Sequence, residues 1–152
     1  MSERRIRPLA ICVFSHQGRI LVDDAADPVK RQRHFRPLGG GIEFWERSQD
    51  TITREIREEI GQEVASLRYL GTIENLFEYL GEPGHEIVQV YDGEFVDRSV
   101  YRLDTIEHKD GNGPKALVVW RGLADFTPEH PLYPDGLLAL LLEAGVLSAN
   151  GH

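Results

Sequence analysis

Residues 39–62 read GGGIEFWERSQDTITREIREEIGQ, and this stretch decides how the rest of the chain is interpreted. It begins with three glycines, passes through two aromatic residues, and continues with arginines and glutamates. Ile52, Ile56 and Ile60 recur every four residues, which is the spacing of an apolar stripe on an amphipathic helix. The pattern therefore predicts a helix that buries one face.

Both ends of this helix carry sequence signals. Ser48 is a suitable N-cap residue, and Asp50 places negative charge in the first turn, where the helix dipole favours it. Gly61 is a suitable C-terminal stop because glycine readily adopts the left-handed conformation. The sequence therefore predicts a helix that begins near Ser48 and ends before Gly61.

Three glutamates form a second stripe on the same helix. Glu55, Glu58 and Glu59 lie three and four residues apart, so their like charges repel one another. A hard divalent cation, which prefers oxygen ligands, would offset this repulsion. The alternative interpretation is a solvated helix face with ion pairs to the neighbouring arginines, and composition alone favours it.

The spacing of the glycine, glutamate and arginine residues distinguishes these interpretations. The pattern resembles the Nudix box, G-x5-E-x7-R-E-U-x-E-E-x-G-U, in which U is apolar, and the match spans residues 40–62. Two positions depart from that pattern, since Gln62 is polar and Trp45 stands where the family commonly has glycine. The matching positions are Gly40, Glu46, Arg54, Glu55, Ile56, Glu58, Glu59 and Gly61.

The resemblance implies an α/β fold, a Nudix-like α/β/α sandwich with a mixed sheet between helices. The segments of the chain agree with this, because predicted strands dominate around one acidic helix and one apolar C-terminal helix. A length of 152 residues suits a single domain over 1–152, and we expect residues 1–5 and 148–152 to be frayed.

The implied activity is metal-dependent hydrolysis of a nucleoside diphosphate linked to another moiety, by attack of water on a diphosphate phosphorus. The implied cofactor is Mg²⁺, with Mn²⁺ as a substitute. The alternative is a nucleotide-binding or regulatory module that keeps the Nudix fold without turnover. The complete set of Arg54, Glu55, Glu58 and Glu59 favours an enzyme, because a module without turnover would normally have lost one of them.

The resemblance also implies roles for individual residues. Glu55, Glu58 and Glu59 would hold the metal, together with the backbone carbonyl of Gly40. Arg54 would hold the glutamates through charge-assisted hydrogen bonds, and it belongs to the catalytic set with them. A supporting carboxylate would come from the loop before the helix, at Glu46.

Family members often recruit another acidic residue from a distant loop as a general base or metal ligand. The candidates in this chain are Asp110, Glu107 and Glu86, with a preference for the loop at residues 104–114. The alternative for Glu86 is a solvent-exposed position at the end of a strand.

A basic segment precedes the glycines. We expect Arg33, His34 and Arg36 to bind substrate phosphates, although a solvated loop is the alternative. Trp45 is a further substrate-binding candidate, since its ring would stack on a substrate ring. The alternative is that Phe44 and Trp45 pack on the core and anchor the start of the helix.

Composition limits the partners. The net charge of −8 argues against a nucleic acid polymer or an anionic membrane, so the expected partner is a small-molecule nucleoside diphosphate derivative. The one cysteine, Cys12, lies in an apolar run, which fits a buried thiol in a reducing cytoplasm.

The remaining segments have simpler patterns. Residues 9–14 predict a buried strand and residues 137–144 predict an apolar helix, either of which would support a homodimer. Residues 23–28 predict a polar loop. Residues 64–70 and 71–79 predict two separate strands.

Overall fold

The structure is a computed structural model, and it describes residues 4–27, 31–109 and 117–149. Two short 3-10 helices, Arg98–Arg102 and Leu123–Asp125, lie between the regular elements. The strands and helices are β1 (Arg7–Val13), β2 (Ser15–His16), β3 (Arg19–Asp27), β4 (Gln32–Arg36), β5 (Leu38–Gly41), α1 (Ser48–Ile60), β6 (Val64–Tyr79), β7 (Glu82–Phe95), β8 (Thr105–Glu107), β9 (Leu117–Gly122) and α2 (Leu137–Glu143).

The described strands form two sheets. The first has the order β5-β1-β7-β6, and it is mixed because β1 runs parallel to β7 while its other pairs are antiparallel. The second has the order β2-β3-β9-β8, with β4 paired to β3, and all of its pairs are antiparallel. The predicted mixed sheet is confirmed.

Strand β1 shows why the mixed sheet lies between helices. Successive side chains of a strand point to opposite faces. Ala10 and Cys12 pack in one apolar cluster with the isoleucines of α1, whereas Leu9 and Ile11 pack in another with α2. Because β1 pairs with β5 on one edge and with β7 on the other, this strand is not available to pair with a second copy of the chain.

Helix α1 follows the predicted pattern except at its first residue. Ile52, Ile56 and Ile60 are buried, and Gly61 ends the helix in the left-handed conformation at φ 69°. The prediction of Ser48 as N-cap was wrong, because Ser48 is the first helical residue and Arg47 is the N-cap. The Ser48 hydroxyl instead lies 2.6 Å from the hydroxyl of Tyr91 on β7.

The loop predicted at residues 23–28 is also wrong over its described part. Strand β3 continues to Asp27, where it pairs with Gln32 of β4. The hairpin places side chains of both strands opposite the mixed sheet, and this arrangement forms one side of the cavity described below.

Two further segments differ from the sequence-based prediction. Residues Val64–Tyr79 form one strand, with register shifts near Ala65 and Tyr69 in place of a break. The loop predicted at residues 104–114 contains β8, Thr105–Glu107, in its described part. No helix in the described ranges is long and apolar enough to cross a bilayer.

Candidate active site

The glycine strand β5 lies at the edge of the mixed sheet and faces α1. Gly39 donates its backbone N–H to Glu59 Oε1 at 3.1 Å, and Gly41 accepts at its carbonyl from Arg54 Nη2 at 3.0 Å. Ile42 donates to the Pro8 carbonyl of β1 instead. Since hydrogen-bonded and non-hydrogen-bonded pairs alternate in an antiparallel ladder, the carbonyls of Gly39 and Gly41 point towards α1 and that of Gly40 points towards β1.

The glycines at positions 39 and 40 leave no room for a side chain. At Gly39, where φ is +151°, a Cβ atom would lie 2.1 Å from the carbonyl oxygen of Ala10. At Gly40 a Cβ atom would lie 2.4 Å from Cδ of Glu55. The carboxylate of Glu55 is therefore packed directly on the backbone of β5, and this contact requires glycine.

Arg54 ties the carboxylates of this region together. Its Nε and Nη2 donate to the two oxygens of Glu46, each at 2.8 Å, which is the two-pronged geometry of a strong arginine–carboxylate pair. Its Nη1 donates to Glu55 Oε1 at 2.8 Å and to Glu58 Oε2 at 3.4 Å. Arg54 therefore fixes the same carboxylate of Glu55 that packs on the glycine strand.

Hydrogen bonds also shift the acidity of Glu46. The Arg54 guanidinium, and then the Thr51 hydroxyl, lower the pKa of Glu46 to about 2. Glu46 therefore stays ionised at neutral pH and serves as a fixed counter-charge for Arg54.

The three glutamates of the helix lie in different surroundings. The side chain of Glu59 is 9% exposed, that of Glu55 is 17% exposed, and that of Glu58 is 56% exposed. Glu55 and Glu59 are one helical turn apart and both face the glycine strand. Glu58 lies on the flank, beside Arg54.

Two residues that the sequence analysis missed join Glu59. Asp23 lies on β3, and His108 follows β8. One possible ligand atom from each of Asp23, Glu59 and His108 lies within 4.8 Å of the other two. His108 contacts Asp23 Oδ1 through Nε2, and its Nδ1 lies 4.0 Å from Glu59 Oε2. A backbone hydrogen bond of 2.6 Å from Lys109 to the Glu59 carbonyl ties this segment to the end of α1.

The sequence contained a partial signal for one of these two residues. His108 falls in the loop at residues 104–114 that we expected to contribute to the site, although only acidic residues of the loop were candidates. Asp23 carried no signal, because it follows an apolar run and matches the start of a polar loop.

Burial beside other carboxylates makes Glu59 a weak acid. Desolvation, followed by repulsion from Asp23 and Glu55, raises the pKa of Glu59 to about 8. Burial also raises the pKa of Glu55. Such a cluster is stabilised either by protons or by a cation, and its oxygen-rich ligand set suits Mg²⁺ or Mn²⁺. The residues present therefore fit a divalent metal.

A cavity of about 470 Å³ lies beside this cluster. A smaller cleft of about 260 Å³ contains Gly39, Gly40 and Glu59. The residues that line both spaces are Arg7, Asp23 and Arg36, so the cavity and the cleft meet at these side chains.

Strand alternation separates the residues of the basic segment. Gln32, His34 and Arg36 of β4 line the cavity, as expected for every second residue of a strand. Arg33 pairs with Asp24, at 3.0 Å between its Nη2 and the carboxylate oxygen. The basic segment is thus a strand rather than a solvated loop.

Glu86 is buried where the cavity meets the cleft. It is only 3% exposed, so the expected solvent-exposed strand end is wrong. One of its oxygens lies 3.8 Å from Arg7 Nη1, and the other lies 3.6 Å from Arg36 Nη2 and accepts a 3.3 Å hydrogen bond from Asn75.

The other sequence candidates lie away from the cluster or outside the described residues. Phe44 and Trp45 are 97% and 94% exposed, so the prediction that they pack on the core was wrong. Trp45 adopts a left-handed φ of 70°. Glu107 is exposed on β8, and Asp110 lies outside the described residues.

Comparison with known proteins identifies the family. A family model described as NUDIX domain matches residues 4–134. The chain belongs to the Nudix family. It is 35% identical over 113 residues to the NAD-capped RNA hydrolase NudC of Mycobacterium tuberculosis (strain ATCC 25618 / H37Rv), a match that covers 67% of this chain and 34% of that relative. This Nudix chain thus spans about a third of that relative's length.

Solved structures share the fold at low identity. The MutT NUDIX hydrolase from Burkholderia pseudomallei matches with a TM-score of 0.65 and 20% identity, over 90% of this chain and 97% of that one. An ADP-ribose pyrophosphatase from Streptococcus suis 89-1591 matches with a TM-score of 0.61 and 17% identity, over 93% of this chain and 92% of that one. These matches show that the chain has the α/β Nudix fold.

Proposed function

We propose that this chain is a Nudix-type pyrophosphohydrolase, which hydrolyses a nucleoside diphosphate linked to another moiety. The observation that carries the proposal is the contact of Glu55 and Glu59 with the glycine strand, beside a cavity of about 470 Å³. Water would attack one phosphorus while the bridging oxygen leaves with the other phosphate. The products would be a nucleoside monophosphate and a phosphorylated second compound.

The proposed cofactor is Mg²⁺, with Mn²⁺ as a substitute. Glu55 and Glu59 are the proposed main ligands because both are largely buried, whereas Glu58 would act at the flank. The backbone ligand would be the carbonyl of Gly39 rather than that of Gly40, because only the former points towards α1. When bound, the cation would neutralise the diphosphate and polarise its phosphorus atoms.

Asp23 and His108 are proposed to complete this ligand set. Each of them has a ligand atom within 4.8 Å of a carboxylate oxygen of Glu59. The histidine favours Mn²⁺ as the metal, because an imidazole nitrogen is a better ligand for Mn²⁺ than for Mg²⁺. Arg54 would keep Glu55 in place, since its guanidinium donates to the Glu55 carboxylate at 2.8 Å. The carboxylate of Glu46 neutralises the charge of Arg54.

Arg7 and Arg36 are the proposed diphosphate-binding residues. Both line the cleft that contains Glu59, and a guanidinium can bind two phosphate oxygens at once. His34 would contribute from the same face of β4. We do not propose substrate-binding roles for Arg33 and Trp45, because Arg33 pairs with Asp24 and Trp45 is almost fully exposed.

The names of the relatives direct the choice of substrates to test. NudC is described as acting on NAD-capped RNA, and the Streptococcus suis protein is described as an ADP-ribose pyrophosphatase. NAD and ADP-ribose both join adenosine to a second group through a diphosphate. We propose small molecules of this kind as substrates in preference to an RNA polymer, given the net charge of −8. The buried thiol of Cys12 suits a reducing cytoplasm as the location.

The test is a hydrolysis screen of NAD, ADP-ribose, diadenosine tetraphosphate, 8-oxo-dGTP and UDP-glucose with Mg²⁺ and with Mn²⁺. Glu59→Gln should lower kcat on the best substrate by roughly 100-fold or more, which is the scale for loss of one key stabilising group. Glu63→Gln is the matched control, because Glu63 is 53% exposed and pairs with Arg57. Activity of Glu59→Gln within about threefold of wild type would contradict the proposed role of Glu59, judged on the same scale.

The alternative, a module that binds nucleotides without turnover, gives a different result in the same screen. Calorimetry would show tight binding of a nucleotide while no member of the panel is hydrolysed with either metal. Metal-dependent turnover that is lost in Glu59→Gln would exclude this alternative.

A further inference from the structure

The cavity lies between the two sheets and has two chemically different ends. Strands β3 and β4 form one wall, and β6 and β7 form the other. The end that meets the cleft carries Arg7, Arg36 and the buried Glu86. The other end carries aromatic side chains, and no residue of that group also lines the cleft.

The aromatic end is formed from three distant parts of the chain. The ring centroids of His34 and Tyr133 lie 5.1 Å apart, and those of His34 and Tyr79 lie 6.4 Å apart with perpendicular planes. Tyr133 is held by a 3.1 Å hydrogen bond from its hydroxyl to Gln32 Oε1. The rings therefore form an angled wall that offers π faces and edges to a flat ligand.

We propose that the nucleobase of the substrate binds in this cavity against Tyr79 and Tyr133, with Arg7 and Arg36 binding the phosphate attached to it. This proposal rests on the proposed function and specifies it: the substrate half that enters the cavity is a nucleoside, and the other half extends towards the outside of the cleft. A volume of about 470 Å³ is within the range of small-ligand sites.

Glu86 acts here as a positioning residue. Its carboxylate attracts both guanidinium groups from 3.6 and 3.8 Å, which is longer than a hydrogen bond. Arg7 and Arg36 are thus held at the boundary between cavity and cleft with hydrogen-bond donors still able to bind phosphate oxygens.

Trp45 is a less suitable nucleobase site. A ring that is 94% exposed buries little of a ligand, whereas small-ligand sites are concave and cover most of their ligand. Trp45 therefore serves as an internal comparison in the experiment.

The experiment measures binding of AMP and of ribose 5-phosphate to the full chain by calorimetry. The two probes share the phosphorylated ribose and differ at its C1, where AMP carries adenine and ribose 5-phosphate carries a hydroxyl group, so the ratio of their affinities measures the contribution of the nucleobase. We expect AMP to bind about tenfold or more tightly, because stacking of a base on aromatic side chains has that scale. Tyr79→Leu should reduce the ratio to about threefold or less, and Tyr133→Leu provides a second variant at the same wall.

Two control variants test whether the effect on the affinity ratio is specific to the tyrosines of the cavity. Tyr69→Leu removes an exposed tyrosine elsewhere on β6, whose hydroxyl contacts Thr72, and it should leave the ratio unchanged. Trp45→Ala should also leave it unchanged.

The arginine arm has a different expected result. Arg36→Gln should weaken AMP and ribose 5-phosphate by the same factor, about tenfold, because it removes a charge-assisted contact to the phosphate and leaves the ratio intact. Arg33→Gln is the matched control on the same strand, since Arg33 pairs with Asp24 instead.

An unchanged ratio in both Tyr79→Leu and Tyr133→Leu would overturn the proposal, as would a ratio that falls in Trp45→Ala alone. Equal affinities of the wild type for the two probes would also overturn it. The binding arms need no turnover, so they fail separately from the proposed function. Selective AMP binding without hydrolysis of any panel member would contradict the enzyme and leave the nucleobase site supported.

Discussion

Two arginine–glutamate clusters lie on either side of the glycine strand, and they are built differently. In the first, which we call the box cluster, Arg54 hydrogen-bonds Glu46 and Glu55 at 2.8 Å, and all of these residues lie within eight positions of Arg54. In the second, which we call the cavity cluster, Arg7, Arg36 and Glu86 come from β1, β4 and β7 and stay 3.6–3.8 Å apart.

The difference shows how each cluster relates to a ligand. The box cluster is tightly bonded within itself, so Arg54 is committed to holding carboxylates. The cavity cluster is looser, so Arg7 and Arg36 keep donors for a phosphate. The same two residue types thus serve as a rigid support in one place and as a binding surface in the other.

A methyl group added to the glycine strand should separate the two clusters. Gly40→Ala would place Cβ 2.4 Å from Cδ of Glu55, so that carboxylate must move, and we expect kcat to fall roughly 10- to 100-fold. Gly41→Ala is the matched control, because its Cβ would meet only Arg7, at 3.8 Å. Steady-state kinetics on the best panel substrate measure the effect, and equal losses in the two variants would contradict the distinction between the clusters.

The metal-free protein should reveal the charge imbalance at Glu59. Glu86 lies beside two guanidinium groups, whereas Glu59 is buried and faces Asp23 and Glu55, and its pKa is raised to about 8. Between the ordinary glutamate pKa of about 4.3 and this value, the folded chain keeps a proton that the unfolded chain has lost. Stability should therefore fall as pH rises from about 5 to 8.

Thermal unfolding in the presence of a chelator measures this effect. The Tm of the wild type should decrease more over that pH range than the Tm of Glu59→Gln, which has no carboxyl proton to lose. The Tm of Glu63→Gln should decrease as much as that of the wild type. Mg²⁺ at pH 8 should restore Tm in the wild type, because the cation then replaces the proton. The same pH slope in wild type and Glu59→Gln would count against the charge imbalance.

The box cluster was largely predictable because its information is local. The isoleucine stripe fixes which face of α1 is buried, and the glycine after the helix fixes where it ends. The choice of N-cap failed at Ser48 because its hydroxyl contacts Tyr91 of β7, a tertiary contact that a local pattern does not contain.

Arg36 and Glu86 were individual candidates, but neither the contacts within the cavity cluster nor the Asp23–His108 pair was predictable, and the reason is physical. Aspartates are depleted in strands, so Asp23 and Asp24 predicted a loop. In the fold both are on β3, where Asp23 contacts His108 and Asp24 accepts from Arg33 and lies 3.1 Å from a ring nitrogen of His130. These histidines, 85 and 106 residues away along the chain, are the partners that stabilise the two aspartates in the strand. No local spacing in the sequence indicates such distant contacts.

The smallest expected effect concerns the loop between the glycine strand and α1, where Trp45 departs from the family pattern. Its left-handed φ of 70° costs a residue other than glycine about 1–2 kcal/mol, and its 94% exposed ring gains little from packing. Trp45→Gly removes that strain but adds freedom to the unfolded chain, so we expect a net gain of about 0.5 kcal/mol in the free energy of unfolding. Urea unfolding measures it, with Phe44→Gly as the control, because Phe44 is equally exposed and its φ is not positive. Phe44→Gly should lose about 0.5–1 kcal/mol, since glycine there only adds unfolded-state freedom. A loss of stability in Trp45→Gly as large as in Phe44→Gly would show that the tryptophan ring stabilises the loop despite its backbone strain.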